Sequence, residues 1–409
     1  MWIIIRIVIF LLLLAGIEFY FIKKINSALK TIFKKLSLKK LKIFNIIFIL
    51  VFNLYPFYLI LLFSYSVLMS NNRLVFPQGL LIDAFLIFPF WILILIAIQS
   101  ILFFVLVDLL GLILKILKRN IKEQITKYSS FITLIIIVFF SIYIPIRILY
   151  DYNTIEVSNY NYTKKDLPKN LDGFKIVFIS DMQVDRYTNE NRVGKLISLV
   201  NKQDPELVLI GGDFITSTPE YINEAATFAG QIISKYGVYS CVGDHDNWAY
   251  RWDTKRSLLE VEAALKENNI KMIDNGSITL PVDSSSIRIT FVTNTYVQKI
   301  SQVVLDSVVD KENRYDLKIF LTHQPRQFLI DKAKKFNYNL YLAGHTHGGQ
   351  IMFLFPFKNL SPTMLETKYV RGVFNFGKLT VMVTRGLGMS IAPVRYNSTP
   401  EITVITLSK

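Results

Sequence analysis

The stretch 339–350 reads NLYLAGHTHGGQ, an apolar run of strand character that ends in a glycine and is followed by His345 and His347. The same arrangement occurs twice more: VYSCV precedes a GDHD loop that contains His245, and LKIFL precedes a THQP loop that contains His323. These three loops hold all four histidines of the 409-residue chain. Histidines confined to loops after buried strands are placed for chemistry rather than for packing.

Two further loops follow apolar strands and carry carboxylates: FKIVFIS precedes Asp181, and ELVLI precedes Asp213. The intervals from Asp181 to Asp213 and from Asp213 to Asp244 each have the length of one strand, helix, strand unit. Parallel strands joined in this way present their carboxyl ends at one sheet edge, so the loops are expected to converge. The helices predicted for these units cover 191–203, 219–235 and 255–268.

Three aspartates and three histidines at one sheet edge are the ligand types of a two-metal hydrolytic site. Carboxylates can bridge two divalent cations, and imidazoles hold each cation from the other side. Such a pair acidifies a bound water and neutralises charge on a phosphoryl group. The residues themselves therefore predict cleavage of phosphate esters.

The N-terminal part has a different composition. Residues 1–150 contain 16 Lys and Arg against 4 Asp and Glu, so they carry most of the formal net charge of +15. Because the excess charge lies in this apolar part, it indicates a membrane surface and not nucleic acid. A polar linker is predicted at 151–171, followed by a domain at 172–409. Four stretches are long enough to span a bilayer as helices: 2–22, 43–69, 79–114 and 131–150.

The third apolar stretch is overlong, and dividing it into two spans is the alternative. The segment 23–42 has eight lysines and the segment 115–127 has five basic residues, whereas 70–78 has only Arg73. The positive-inside rule puts both basic segments in the cytoplasm, which requires one span between them. We therefore predict a multi-pass plasma (inner) membrane protein whose C-terminal domain lies outside the cytoplasm.

Five blocks of the C-terminal part resemble the calcineurin-like metallophosphoesterases, in particular a membrane-anchored bacterial branch with the ending GHTHGGQI. In the family's order the blocks are SDMQ, GGDF, GDHDNW, LTHQP and AGHTHGGQI. The resemblance covers 172–409 and implies an α/β fold, a four-layer αββα sandwich, here preceded by an all-helical transmembrane region. It also implies two divalent metal ions, with Mn²⁺, Mg²⁺, Fe²⁺ and Zn²⁺ as candidates.

The resemblance implies a role for each matching position. His245 would face the substrate and stabilise charge or protonate the leaving oxygen, and Asp246 would orient it. The metal ligands would be Asp181 and His347 at the first ion, Asp213 as the bridge, and Asp244, His323 and His345 at the second ion.

Two positions depart from the family's pattern. Gln183 stands where the first block has a histidine and is predicted to ligate through its amide oxygen, a weaker and neutral donor. Asp244 stands where the family has an asparagine. These changes keep a second function open, namely a catalytically impaired metal-binding regulatory module that retains the fold.

Three further interpretations concern the substrate. Arg385 and Arg395 are predicted to hold a substrate phosphate, since guanidinium matches phosphate oxygens. The apolar run IMFLFPF at 351–357 is interpreted either as a buried strand or as a surface against the bilayer that receives an acyl chain. The anchoring helices favour a phospholipid or lipid-linked phosphate substrate. A transport or sensing role for the helices is the remaining alternative.

Overall fold

The computed structural model describes residues 2–68, 79–250, 252–312 and 314–409, which form two compact units. The first comprises the chain up to Ile148 together with Phe353–Asn359. The second comprises Leu149–Met352 and Leu360–Lys409. The basic-poor connection predicted at 70–78 lies outside the described residues.

The first unit contains four long helices. Helix α3 includes one π-helical turn and is continuous from Leu80 to Leu117, and whether it crosses the membrane once or twice stays a prediction. Among the described residues, α2, α3 and α4 contain stretches long and apolar enough to cross a membrane, and the number of passes remains a prediction. The bounds are α1 Trp2–Ile32, α2 Leu38–Leu68, α3 Leu80–Leu117 and α4 Lys122–Asn153.

Aromatic contacts join three of these helices. Phe21 of α1 lies 5.5 Å from Phe48 of α2 and 6.1 Å from Phe104 of α3, measured between ring centroids. Phe52 of α2 and Phe90 of α3 form a further pair at 6.0 Å. Many other apolar side chains of the helices are exposed, as expected for surfaces that face lipid.

The segment Phe353–Asn359 also belongs to the helical unit, although it follows the GHTHGGQ loop in sequence. The buried Gln99 side chain donates to the Leu354 carbonyl at 2.8 Å and accepts from the Leu354 N–H at 2.7 Å. This double contact satisfies both ends of an amide that would be costly in an apolar interior. The interpretation of 351–357 as a buried strand is wrong, because this stretch contains no strand and only isolated bridges, at Ile351, which pairs with Tyr396, and at Phe353.

The second unit contains two six-stranded sheets. In chain order the strands are β1 Glu156–Thr163, β2 Lys175–Ile179, β3 Leu207–Ile210, β4 Val238–Ser240, β5 Ile270–Met272, β6 Gly276–Val282, β7 Ser285–Val292, β8 Leu317–Thr322, β9 Leu340–Ala343, β10 Gly372–Phe376, β11 Leu379–Val383 and β12 Glu401–Ser408. The first sheet has the order β1-β12-β2-β3-β4-β5, and the second β10-β11-β9-β8-β7-β6. Strands β2, β3, β4 and β5 are parallel neighbours, as are β7, β8 and β9.

The sheets pack face to face and helices cover both outer faces. On β2, Ile176 and Phe178 join the cluster between the sheets, whereas Val177 and Ile179 face the helices, as the two-residue period of a strand requires. This arrangement confirms the predicted αββα sandwich. The covering helices are α5 Glu190–Asn201, α6 Ile222–Ala229 and α7 Thr254–Glu267 on the first sheet, and α8 Gln302–Val308 and α9 Gln327–Lys335 on the second.

The prediction of a linker at 151–171 is wrong for most of its length. Glu156–Thr163 is strand β1 and pairs in parallel with β12 from Glu156↔Glu401 to Thr163↔Ser408. The Asp151 carboxylate is buried and accepts a hydrogen bond from Thr399 Oγ1 at 2.6 Å. The polar composition of this stretch fits an edge strand, which has one exposed side.

Candidate metal centre

The predicted ligands lie at the carboxyl ends of five strands that are parallel neighbours within the two sheets. Asp181, Asp213 and Asp244 follow β2, β3 and β4, while His323 follows β8 and the His345 loop follows β9. Asp181 N donates to the Gly212 carbonyl at 3.0 Å and Gln183 N to the Asp213 carbonyl at 2.9 Å, so the first two loops are held together. The loops therefore converge in the structure, as the sequence predicts.

Strained backbone marks the same loops. Positive φ angles of 54°, 42° and 60° occur at Asp181, Gln183 and Asp213, and of 70° and 49° at His345 and His347. Non-glycine residues adopt this left-handed conformation only rarely, at a cost of about 1 kcal/mol or more each. Five candidate ligands share this unfavourable backbone conformation, which indicates that the position of their side chains outweighs the backbone preference.

The Asp213 and Asp244 loops approach each other so closely that Gly243 has to be a glycine. A Cβ atom on Gly243 would lie 2.2 Å from Asp213 Oδ1 and 2.3 Å from the Asp213 nitrogen. Any side chain at this position would push the Asp244 loop away from the Asp213 carboxylate.

Two groups of side chains have ligand atoms that all lie within 4.8 Å of one another. The first group is Asp181, Asp213 and His323, and the second group is Asp244, His323 and His345. His345 Nδ1 lies 2.8 Å from Asp244 Oδ2, and His323 Nε2 lies 3.3 Å from the same oxygen. The structure thus brings together five of the predicted ligands in two overlapping groups.

Gln183 and His347 complete the side occupied by Asp181 and Asp213. Gln183 Nε2 donates to Asp213 Oδ2 at 3.1 Å, and His347 Nε2 lies 3.7 Å from Asp181 Oδ1. The Gln183 amide oxygen is buried without a hydrogen-bond partner among the described atoms. An unpaired buried acceptor beside two carboxylates is what a ligand position offers to a cation.

His323 provides the clearest test of whether these residues fit a metal. Its Nδ1 donates to the Gly211 carbonyl at 2.7 Å, which directs Nε2 into the centre. Nε2 is fully buried, lies 3.4 Å from Asp213 Oδ2 and 3.3 Å from Asp244 Oδ2, and makes no hydrogen bond with the described residues. A buried ring nitrogen that lies between two carboxylate oxygens and is hydrogen-bonded to neither fits a cation held by all three, and the carbonyl contact fixes the imidazole as ligating histidines usually require.

The electrostatics of the centre point the same way. Burial favours neutral forms, yet His323 and His245 together outweigh burial and lower the pKa of Asp213, and His323 with His345 lowers the pKa of Asp244. Burial acts to lower the pKa of His323, but Asp213 and Asp244 together outweigh burial and raise this pKa well above the usual value. The clustered carboxylates therefore require positive charge, supplied by a proton when no cation is bound.

His347 has the opposite environment. Burial, followed by the neighbouring Arg395 guanidinium, lowers the pKa of His347 well below its usual value. A neutral imidazole is the form that binds a metal, so the lowered pKa keeps His347 in its ligating form.

The backbone of His245 contacts the metal centre, whereas its side chain is not a candidate ligand. Its N–H donates to Asp213 Oδ1 at 2.8 Å, and its Nδ1 contacts the Thr216 carbonyl. Among the described residues, Nε2 has only Ser390 Oγ within hydrogen-bonding distance, at 3.4 Å. The side chain is therefore fixed at one nitrogen and leaves the other for a substrate.

The structure assigns Asp246 a different task from the predicted one. Its carboxylate accepts from the backbone N–H groups of Gly243, Asp213 and Phe214 at 2.8, 3.0 and 2.9 Å. Burial, followed by Asp213, raises the pKa of Asp246 to about 6. Asp246 thus ties two ligand loops together, and the prediction that it orients His245 is corrected: the Thr216 carbonyl does so.

The two predicted phosphate-binding arginines are engaged elsewhere. Arg385 forms ion pairs with Glu156 at 2.7 Å and Glu401 at 2.8 Å. Arg395 is fully buried and donates to the carbonyls of Gly388 and His347, at 2.7 and 3.2 Å. Substrate binding by either arginine stays a prediction that these contacts do not favour, because the guanidinium groups already have partners.

Replacing Arg395 with methionine is expected to destabilise the C-terminal unit by about 3–5 kcal/mol, since several buried carbonyls lose a charged donor. Chemical denaturation of the purified full-length protein measures this. Arg314→Met, at an exposed pair with Glu312, is the control and should leave the denaturation midpoint unchanged. Equal midpoints for the two variants would contradict a structural role for Arg395.

Four residues around the second group were not predicted. Gln324 Nε2 donates to both Asp244 oxygens at 3.0 and 2.8 Å, and Tyr296 N donates to Asp244 Oδ1 at 2.5 Å. Glu366 Oε1 lies 3.1 Å from His345 Nε2 and accepts from Tyr296 OH and Arg326, both at 2.5 Å. Only Gln324, inside the LTHQP block, had a sequence signal.

Glu366 determines which nitrogen of His345 carries the proton. Burial alone would raise the pKa of Glu366, but His345, Tyr296 and Arg326 together outweigh burial and lower this pKa to about 2, so Glu366 is ionised. A proton on His345 Nε2 directed to this carboxylate leaves the Nδ1 lone pair on the side of Asp244. Such outer carboxylates orient ligating histidines.

Glu366→Gln is therefore expected to weaken metal binding at the second group about 10- to 100-fold. Titration of the chelator-stripped protein with Mn²⁺, followed by calorimetry, measures the affinity without any assay of turnover. Glu260→Gln removes a glutamate that pairs with Arg256 on helix α7 and serves as the control. An affinity equal to that of the control would show that Glu366 does not position His345.

A two-sheet sandwich with buried carboxylates and imidazoles gathered at its strand ends defines a metal-dependent hydrolase. Residues 174–349 match the calcineurin-like phosphoesterase family, so this chain carries a calcineurin-like metallophosphoesterase domain. The chain is 28% identical over 256 residues to the metallophosphoesterase YkuE of Bacillus subtilis, covering 62% of this chain and 85% of YkuE.

Two other relatives have informative names. The phosphodiesterase YaeI of Escherichia coli is 24% identical over 246 residues, covering 58% of this chain and 83% of YaeI. A transmembrane protein with a metallophosphoesterase domain from Danio rerio is 26% identical over 252 residues, covering 59% of this chain and 55% of that protein. Together with the apolar helices, these findings indicate a membrane protein with a metal-dependent phosphoester hydrolase domain.

Proposed function

We propose that the protein is a dinuclear metal-dependent phosphoesterase that cleaves a phosphoester or pyrophosphate bond. The observation that carries this proposal is the buried, unpaired Nε2 of His323 between the Asp213 and Asp244 carboxylates. One ion would be held by Asp181, Gln183, Asp213 and His347, and the other by Asp213, Asp244, His323 and His345.

The bound ions supply an acidified water and offset the charge of the phosphoryl group. The other tasks belong to the chain. Asp246 and Gln324 hold the ligand loops, and Glu366 keeps the proton of His345 on Nε2. His245, fixed through Nδ1, holds or donates a proton at Nε2 next to the phosphoryl or leaving oxygen.

We further propose a membrane-embedded substrate, such as a phospholipid or a lipid-linked phosphate. Attachment to apolar helices restricts the enzyme to the bilayer surface and raises the effective concentration of a lipid substrate. The positive-inside rule supports an extracytoplasmic catalytic domain in the plasma membrane. Because the basic excess lies in residues 1–150, nucleic acid is not the proposed partner.

The test uses the full-length protein in lipid–detergent micelles, stripped by a chelator and reloaded with Mn²⁺, Mg²⁺, Fe²⁺ or Zn²⁺. Turnover of bis(p-nitrophenyl) phosphate is expected to vanish on stripping and to return with at least one ion. Vesicles containing phosphatidic acid or a polyprenyl pyrophosphate should give a higher kcat/KM than short-chain, water-soluble analogues.

Two results would count against the proposal. A protein reloaded with two ions per chain and inactive on every substrate would instead favour the impaired regulatory module. Equal kcat/KM values for vesicle and water-soluble substrates would remove the lipid part and leave the hydrolase part standing.

A further inference from the structure

A cavity of about 1140 Å³ lies within the helical unit, and none of its lining residues belongs to the metal centre. Its walls come from three segments: the end of α1 with the chain just after it, the end of α3, and the start of α4. Helix α3 ends here with exposed Ile116 and Leu117, two side chains suited to lipid. The cavity is thus placed at the end of a candidate membrane span, where lipid headgroups lie.

Lysines from all three segments line the cavity. They are Lys34, Lys35, Lys115, Lys122 and Lys127. Among the described residues none of these five forms an ion pair, and Glu123 is the one acidic side chain in the lining. Drawing five like charges together is unfavourable unless an anion offsets their repulsion.

Between the lysines the wall is apolar. Ile32, Phe33 and Leu36 line the cavity, and Phe33 is exposed there. A volume of about 1140 Å³ is well beyond what one inorganic phosphate fills and is within the range for a headgroup with its glycerol and upper acyl chains. The combination of ammonium groups and apolar walls fits an amphipathic anion better than a soluble one.

We propose that this cavity is a binding site for an anionic phospholipid, with the lysines around the headgroup phosphate and Phe33 beside the acyl chains. The site shares no residue with the catalytic centre and differs from it in chemistry. It would hold the ends of α1, α3 and α4 together and make the protein's stability depend on the lipid around it.

The chain offers a matched control for the test. Lys34→Gln, Lys35→Gln and Lys122→Gln together remove three cavity charges, whereas Lys39→Gln, Lys40→Gln and Lys42→Gln remove three exposed charges of the same basic region that do not line the cavity. Full-length protein in detergent is titrated with phosphatidylglycerol or phosphatidylcholine, and bound lipid is counted by native mass spectrometry. The melting temperature of each variant reports its folding.

We expect one phosphatidylglycerol to bind wild type more tightly than phosphatidylcholine, and the cavity variant to lose about 100-fold in affinity. The control variant should bind like wild type, and excess sodium phosphate should not displace the lipid. Glu123→Gln removes the single acidic group and should tighten binding about fivefold, a test that does not require any lysine to be replaced.

Equal affinities of the cavity and control variants would overturn the proposal, because the lipid would then respond only to overall charge. Equal binding of phosphatidylcholine would overturn it as well. Displacement by sodium phosphate would identify a site for soluble anions instead. If the triple cavity variant fails to fold, an unchanged affinity in Glu123→Gln is sufficient to reject the site.

Discussion

Replacing His245 with alanine is expected to lower kcat about 10²- to 10⁴-fold while the metal content stays at the wild-type value. The side chain contacts the Thr216 carbonyl through Nδ1 and presents Nε2, which has Ser390 Oγ at 3.4 Å. The contact to Asp213 comes from the backbone N–H of His245, at 2.8 Å, and alanine retains it. The variant therefore removes the proton donor and leaves the ligand loops in place.

Steady-state kinetics on a phosphodiester and elemental analysis of the desalted protein measure the two quantities. Ser390→Ala is the control, since it removes the one described side-chain contact of Nε2 without removing the imidazole, and it should retain most of the activity. Loss of metal from His245→Ala would mean that His245 is a ligand. A kcat close to wild type would mean that His245 does not face the reacting phosphate.

Asp213→Asn is expected to abolish activity by removing metal from both proposed ion sites, which share this residue. Asp213 is 3.4 Å from His323 through Oδ2, accepts from Gln183 at the same oxygen, and accepts from the His245 nitrogen through Oδ1. Asparagine keeps the shape but has no charge to share between two cations, and its amide protons would oppose existing donors. We expect the affinity for Mn²⁺ to fall at least 100-fold.

The matched control is Asp185→Asn in the loop after β2, which contacts the Asp213 loop through Thr216. Asp185 accepts from Thr216 Oγ1 and from the backbone N–H groups of Tyr187 and Thr188, and it is not a candidate ligand. Its replacement removes the same charge at the same kind of position and should leave the metal stoichiometry unchanged. Two ions per chain in Asp213→Asn would rule out a bridging role for Asp213.

The candidate ligands could be predicted because they are close in sequence to strong local signals. Asp181, Asp213 and His345 each follow an apolar strand, and the helices found at Glu190–Asn201 and Thr254–Glu267 begin and end within two residues of their predicted positions. A helix or a buried strand is encoded by neighbouring residues, so a short window of sequence is enough to predict it. Parallel order then brings the loops to one edge.

The outer residues of the site could not be predicted in this way. Glu366 and Tyr296 are in irregular loops, and their contacts to His345 and Asp244 join segments far apart in the chain. The misjudged linker has the same cause, since Glu156–Thr163 gains its neighbour only when Glu401–Ser408 arrives from the end of the chain. An edge strand paired over such a separation has no local signature that distinguishes it from a polar connection.

By itself, the sequence determined the apolar helices, the strand-end loops and the types of ligand that those loops carry, because hydrophobic period and residue chemistry are local properties. The tertiary structure alone decided which donors already have partners. In the folded protein Arg395 is buried against carbonyls and Asp246 accepts from the backbone of its neighbours. His323 Nε2 lies between two carboxylates without a hydrogen-bond partner among the described residues. Those outcomes depend on distances between atoms from separate loops, which are fixed only when the two sheets pack.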